Sequence, residues 1–362
     1  MSQSIGIHKS EIDTPALLID LEAMDQNIGR MAEYFKNRSA SLRPHAKTHK
    51  CPIIAHKQIA AGAKGITCAK LGEAEAMAQG GIGDILIANQ IIGKEKIARL
   101  AALARHADMI VAVDEVSNLA DLSEAAQAFG STIGVVVDVD VGMGRCGVRN
   151  TQAALALARA AMKSKNIKFR GLMGYEGHCV FIQDRKERIE KCHLANAILV
   201  ETAAAIRRDG IDVEIVSGGG TGTYDITGDY PGITEVEAGS YVFVDARYIG
   251  VLDSFKPALS VLATVISRPE KNLIITDAGH KSLTTEFGMP LIKGLHGAEL
   301  FSLSEEHGKI RLAGESDLKP GDKIEFIPSH GCTTINLHDQ YYGVRGDRLE
   351  TVWEIAARGK VR

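Results

Sequence analysis

Lys47 stands in the run Arg43-Pro44-His45-Ala46-Lys47-Thr48-His49-Lys50, directly after a short apolar stretch with the character of a buried strand. An amine at the C-terminal mouth of such a strand is partly desolvated, which favours the neutral form that attacks an aldehyde. A solvated basic loop would have the same local composition, so the rest of the chain has to decide between them. A second chemical feature is the run Ser217-Gly218-Gly219-Gly220-Thr221-Gly222-Thr223. Glycines let backbone N–H groups come close to an anion, and the threonine hydroxyls add donors, so the run suits a phosphate. Gly239, Ser240 and Tyr241, after the next apolar strand, would complete the same site. A third feature is His330-Gly331-Cys332. An imidazole and a thiolate two residues apart, on what reads as a strand or its end, face the same way and form part of a shell for a divalent metal. Such a pair taken bare is more often no metal site.

The elements that must position these groups follow a regular alternation. Apolar, β-branched runs at 42–46, 65–69, 84–88, 109–113, 133–139, 169–175, 213–217 and 233–237 read as strands. Between them lie Ala-, Leu-, Glu- and Lys-rich segments at 51–61, 71–80, 95–107, 117–129, 151–164 and 184–209 with helical spacing. Strands alternating with helices in this number predict an α/β (β/α)8 TIM-type barrel. A doubly wound open sheet would carry its glycine turn after the first strand, whereas here the strongest one follows the seventh. After residue 245 helical patterns fade. Strand-like runs at 257–266, 271–276, 309–312, 323–328, 340–344 and 349–354 predict a C-terminal β-domain. The expected division is therefore residues 1–25, an N-terminal strand at 16–19 joining the β-domain; 26–245, the barrel; and 246–362, the β-domain carrying the metal site.

Bulk properties bound the partners. A formal net charge of -3 without long single-sign blocks argues against nucleic-acid or membrane-surface binding. No apolar run is long enough to span a bilayer, and the N-terminus lacks the apolar core of a signal peptide. A cytoplasmic protein is expected, with its six scattered cysteines reduced.

In (β/α)8 enzymes the active site forms where strands end, and the reactive residues gather at those positions. Lys47 follows the first strand, Arg145 lies in the loop after the fifth, Tyr175 and His178 follow the sixth, and the glycine run follows the seventh. A nucleophilic lysine and a phosphate cradle on one rim suggest pyridoxal 5'-phosphate (PLP), although a sugar-phosphate aldolase would show the same pair.

The whole set of motifs resembles the alanine-racemase-like (fold type III) PLP enzymes, and within them the D-threonine aldolase / D-serine dehydratase family. The carrying runs are PHAKTHK at 44–50, DVDVGMGRCGV at 138–148, GYEGH at 174–178, SGGGT at 217–221, EAGSYVFVD at 237–245, DAGHKSLT at 277–284, SEEHG at 304–308 and SHGCTTINLHD at 329–339. The resemblance covers nearly the whole chain. It implies a homodimer with active sites at the subunit interface, Lys47 as the cofactor lysine, Tyr175 near the pyridine nitrogen and Arg145 near the ring. It also implies a divalent metal (Zn, Mn or Mg) at His330 and Cys332. Aldolase members often pair this histidine with Asp, and a Cys matches the dehydratase members. Thiolate favours zinc.

The expected activity is a retro-aldol lyase acting on small-molecule D-β-hydroxy-α-amino acids, with His178 taking the β-hydroxyl proton. The D preference comes from the resemblance alone. The same parts would serve a dehydratase of D-serine or 3-hydroxyaspartate, with Lys47 removing the α-proton. A non-catalytic PLP carrier would need only Lys47 and the glycine run. His45 and His49 read as packing residues, and His338 and Asp339 as supporting or structural ones.

Overall fold

The computed structural model describes residues 4–362 and divides into two compact units. One comprises the chain up to Arg30 together with Ser240–Arg358; the other is Met31–Gly239 with Gly359–Arg362. In chain order the first part runs β1 (Ala16–Asp20), α1 (Leu21–Phe35), β2 (Ser41–Leu42), α2 (Pro52–Ala60), β3 (Ile66–Cys68), α3 (Leu71–Gln79), β4 (Asp84–Gln90) and α4 (Lys94–Leu103). It continues through β5 (Asp108–Val113), α5 (Val116–Phe129), β6 (Ile133–Asp138), α6 (Thr151–Lys163), β7 (Ile167–Gly174), α7 (Arg185–Arg208), β8 (Ile215–Gly218), α8 (Tyr224–Thr227) and β9 (Glu235–Val236).

The barrel unit is a parallel eight-stranded sheet in the order β2-β9-β8-β7-β6-β5-β4-β3. It closes through the extended residues after β2. Arg43 N–H donates to Val236 O at 2.9 Å, Thr67 N–H to Pro44 O at 2.9 Å, and Ala46 N–H to Thr67 O at 2.7 Å. Leu86, Ile110, Ala112, Val136, Met173 and Ile215, drawn from five strands, pack in one buried cluster. Local chemistry starts and stops the helices. Asn150 and Asp184 cap α6 and α7 by accepting from Ala153 and Glu187 N–H, Pro52 opens α2, and Gly130 ends α5 in the left-handed region.

The strand starts carry an ion network. Fully buried Arg43 binds Glu235, also fully buried, at 2.8 Å and Asp84 at 2.5 Å. Lys64 joins Glu235 at 2.8 Å, and Arg170 joins Glu214 at 2.7 Å and Asp108 at 3.0 Å. Charges at this end of a barrel serve stability, which leaves the opposite end for chemistry.

The second unit contains β10 (Leu259–Glu270), β11 (Leu273–Thr276), β12 (Leu291–Ile292), β13 (Ala298–Leu303), β14 (Gly308–Leu312), β15 (Lys323–Ile327), α9 (Gly331–Ile335), β16 (Gln340–Arg345) and β17 (Arg348–Glu354). Its sheet runs β13-β14-β11-β10-β1-β16-β17, and β15 pairs with β10 and β12. β1 lies antiparallel to β10 and parallel to β16. Ile12, Ala16, Leu18, Leu262, Val344 and Leu349 form its buried core.

Three features depart from the sequence expectation. β12 and β13 are strands that the alternation did not reveal; the register of β13 slips between Leu300 and Ser302, which breaks the two-residue period. The last four residues belong with the barrel unit rather than the β-domain, and Arg362 O accepts from Gly72 N–H at 3.0 Å. His330 and Cys332 are not on a strand: His330 is the extended residue that begins α9, and Cys332 lies in its first turn.

Candidate active site

At the strand ends of the barrel, side chains from two loops flank a ring carried by a third. The Lys47 amine lies 5.7 Å from the centroid of the Tyr175 ring, and the Arg145 guanidinium carbon lies 5.8 Å from the same centroid. Lys47 is half-buried. Its backbone N–H donates to His45 Nδ1 at 3.4 Å, and Cys51 N–H donates to His49 Nδ1 at 3.1 Å. Burial, with Lys47 nearby, holds the His45 imidazole well below its usual range, and burial brings His49 to about 4. Both are therefore neutral packing residues of the lysine turn. Arg145 sits in an exposed loop that Asp140 folds by accepting from Gly142 and Gly144 N–H at 3.2 and 3.0 Å and by pairing with Arg149. His178 is exposed beside Gly142, where an added Cβ would lie 3.4 Å from its Cε1.

Glycine backbone comes close to Tyr175 on two sides. A Cβ on Gly177 would fall 2.5 Å from Tyr175 Cε1, and one on Gly220 3.2 Å from Cε2. On Gly222 it would meet Val180 O at 1.9 Å, and on Gly239 it would meet His45 O at 2.7 Å. The loops after β7, β8 and β9 thus approach one another as closely as glycine permits. A bare-backbone cradle beside an amine, a phenol and a guanidinium fits PLP.

Within the glycine run the donors divide. Ser217, fully buried, donates to Glu237 Oε1 at 2.8 Å, and Gly218 ends β8. Gly219 N–H donates to Glu176 Oε2 and Gly220 N–H to Thr223 Oγ1, each at 3.0 Å. Thr221 is buried. Two carboxylates that the residue pattern alone does not single out therefore organise this rim. Glu176 is fully buried in the Gly174–His178 motif, and Glu237 follows β9. Burial pushes the Glu237 carboxyl up to about 7, against the Ser217 hydroxyl and the Lys47 and Arg43 charges and with help from Glu235. The available signal was an acid set among glycines or in an otherwise apolar run.

In the other unit, His330 Nδ1 donates to Glu286 Oε1 at 2.7 Å, and the Cys332 side chain hydrogen-bonds to the same imidazole. Thr333 donates to Glu286, and Gly331 N–H to Asp245 Oδ2 at 3.0 Å. Phe287 stacks on the imidazole with centroids 4.5 Å apart. Burial works against the imidazolium, but Cys332, Asp245 and Glu286 outweigh it and raise His330 to about 9. Among the described residues no three His, Cys, Asp or Glu side chains converge as a metal cluster. The pair nevertheless fits a metal with open positions. A carboxylate holds Nδ1, directing Nε2 away from Glu286, as metal-bound imidazoles are oriented. The pair meets because His330 is extended just ahead of a helical turn, not through strand alternation. Tyr241 is fully buried in a 3-10 turn that begins at Ser240, its ring tilted against Phe255. His338 Nε2 donates to Ser282 O at 2.9 Å and Asp339 pairs with Arg358 at 2.6 Å, so both hold the β-domain together.

Known proteins resemble this chain along nearly its whole length. Residues 19–247 match the alanine racemase N-terminal domain, and residues 258–344 match a putative serine dehydratase domain. A D-threonine aldolase from Arthrobacter sp. is 41% identical, over 97% of this chain and 94% of that protein. A 3-hydroxy-D-aspartate aldolase from Paracoccus denitrificans is 38% identical over 98% of this chain and 94% of its own length. A D-threo-3-hydroxyaspartate dehydratase from Delftia sp. is more distant, 31% identical over 95% of this chain and 97% of its own length. The crystal structure of D-threonine aldolase from Filomicrobium marinum superposes with a TM-score of 0.97 at 39% identity, covering 99% of this chain and all of that one. Fold and site define an alanine-racemase-like, PLP-dependent lyase. Within that class the chain belongs to the D-threonine aldolase / D-serine dehydratase family, whose aldolases use PLP and a divalent metal.

Proposed function

We propose that the protein cleaves the Cα–Cβ bond of D-β-hydroxy-α-amino acids, releasing glycine and an aldehyde. The observation that carries this reading is the grouping of Lys47 and Arg145 about the Tyr175 ring beside a glycine cradle. Lys47 would hold the cofactor aldehyde through its amine, Tyr175 and Arg145 would lie beside its ring, and Ser217, Gly218, Gly219, Gly220, Thr221 and Gly239 would form the phosphate end. His330 and Cys332 hold the metal, with Glu286 fixing the imidazole. When bound, PLP supplies an electron sink at Cα, and the metal supplies a Lewis acid that acidifies the β-hydroxyl. His178, exposed and free of a closing side chain on Gly142, takes up the hydroxyl proton.

Ile249, Phe287, Met289, Leu291 and Leu337 expose apolar surface on the unit that carries the metal pair, which supports a homodimer. Among the described residues no helix is long and apolar enough to cross a membrane, and we place the enzyme in the cytoplasm.

Cys332 favours a second reading, a dehydratase that converts D-serine or 3-hydroxyaspartate to a 2-oxo acid and ammonia. Metal-replete, PLP-loaded protein, sedimenting as a dimer, should be incubated with D-threonine, D-threo-3-hydroxyaspartate and D-serine. Glycine with an aldehyde is the expected product; ammonia with a 2-oxo acid replaces the aldolase reading by the dehydratase one.

A further inference from the structure

We propose that Glu176 is a positioning residue for the cofactor phosphate, acting as an acceptor-only post on which the glycine loop is strung. The inference rests on the reading of residues 217–222 as the phosphate loop. Glu176 is fully buried behind the loop, and its carboxylate oxygens are taken up by donors of this chain. Its carboxylate accepts from Gly219 N–H at 3.0 Å, Thr223 Oγ1 at 2.7 Å and Thr227 Oγ1 at 2.6 Å.

The two hydroxyls relay this network, and for Thr223 the carboxylate at 2.7 Å is a much nearer acceptor than Gly220 O at 3.5 Å. Thr223 Oγ1 accepts from Gly220 N–H at 3.0 Å, and Thr227 Oγ1 accepts from Asn196 Nδ2 at 3.2 Å. Each hydroxyl receives an N–H on one side and sends its own proton to Glu176 on the other. Two successive glycine N–H groups are thereby tied inward, one directly and one through Thr223. The path of the loop follows from that anchoring. Gly219 is held at φ +77°, and Gly222 is pressed against Val180 O, where a Cβ would stand only 1.9 Å away.

Only an ionised carboxylate is an acceptor at both oxygens. An amide in its place presents an NH2 either to Gly219 N–H, where two donors oppose, or to the threonine hydroxyls, whose protons then have no acceptor. One buried donor loses its partner in either orientation. The sign of the effect separates geometry from charge. A negative carboxylate behind a phosphate dianion repels it, so if charge dominated, removing it would tighten phosphate binding. If the carboxylate serves to shape the loop, removing it weakens binding of the phosphorylated cofactor alone.

The test titrates full-length apoenzyme with PLP and, in parallel, with pyridoxal, which has the same aldehyde and ring and no phosphate. The readout is the absorbance of the lysine-bound chromophore, so catalysis is not involved. Wild type is expected to prefer PLP strongly; if it does not, the phosphate reading of the loop fails at that point, before any variant is compared. In Glu176→Gln the preference for PLP over pyridoxal should drop by roughly 10- to 100-fold with pyridoxal affinity unchanged. PLP affinity that stays the same or rises overturns the proposal. So does an equal loss for both ligands, which would mean that Glu176 only supports the fold. Thr223→Val, which cuts the relay to Gly220 and keeps the side-chain shape, should shift the ratio in the same direction. It decides the matter by the same criteria where the Glu176 variant does not fold.

Discussion

At the scale of single residues, the rim is governed by two buried carboxylates with opposite circumstances. Glu176 accepts from three donors, whereas Glu237 has one hydroxyl and a second acid, Glu235, as an electrostatic neighbour. The folded protein holds the Glu237 carboxyl at about 7, above its ordinary 4.5. The native state therefore binds this proton more tightly than the unfolded chain does. Its stabilising contribution is complete below 4.5 and is lost as pH rises through 7. The loss is on the order of 3 kcal/mol between the two ends of that window. Glu237→Gln has no proton to lose and should remove this slope. Urea unfolding of both apoproteins from pH 5 to 8.5 checks it, and parallel stability profiles would refute the assignment. Lys47, Tyr175 and Arg145 were visible from sequence as residue types at strand ends. Glu176 stands inside the Gly174–His178 motif with no task legible in its neighbours, because its partners lie 43 to 51 residues further along the chain.

At the scale of elements, local chemistry set most of the boundaries. The apolar runs became the barrel strands, Asn150 and Asp184 began helices, and β-branched texture after residue 245 became a sheet. Reading failed where periodicity was broken or too short, at β12, at the slipped β13 and at the single turn of α9. Arg43 shows why strand content alone is an incomplete guide. It is a fully buried cation in the strand that closes the barrel, tolerated because Glu235 and Asp84 meet it. Arg43→Met should cost about 3–5 kcal/mol, because fully buried Glu235 is left with Lys64 as its one remaining ion-pair partner. Adding Glu235→Leu should recover much of that loss, since the fully buried carboxylate is then gone and Asp84, which is partly exposed, can be solvated. Chemical denaturation of the single and double variants measures both quantities; an additive double variant would show that the pair is not coupled.

At the scale of the whole molecule, the chain divides its chemistry between its two units. The amine, phenol, guanidinium and glycine loop belong to the barrel, and the imidazole–thiol pair belongs to the unit built from both ends of the chain. Removing the metal with a chelator, or replacing His330 by Ala, should therefore lower retro-aldol cleavage by at least about 100-fold. The PLP absorbance band should persist and still vanish in Lys47→Ala. Simultaneous loss of band and activity on chelation would contradict this separation. The sequence by itself determined the strand–helix alternation, the lysine at a strand mouth, the glycine run and the His-x-Cys pair, because each is written in neighbouring residues. Only the tertiary structure decided which groups meet. Closure of the barrel brings Lys47 and Arg145 to Tyr175, and Glu176 under the glycine loop. Folding of the β-domain brings Glu286 to His330, 44 residues away. Hydrogen bonds and burial act through space, and spacing along the chain does not encode them once a loop has closed.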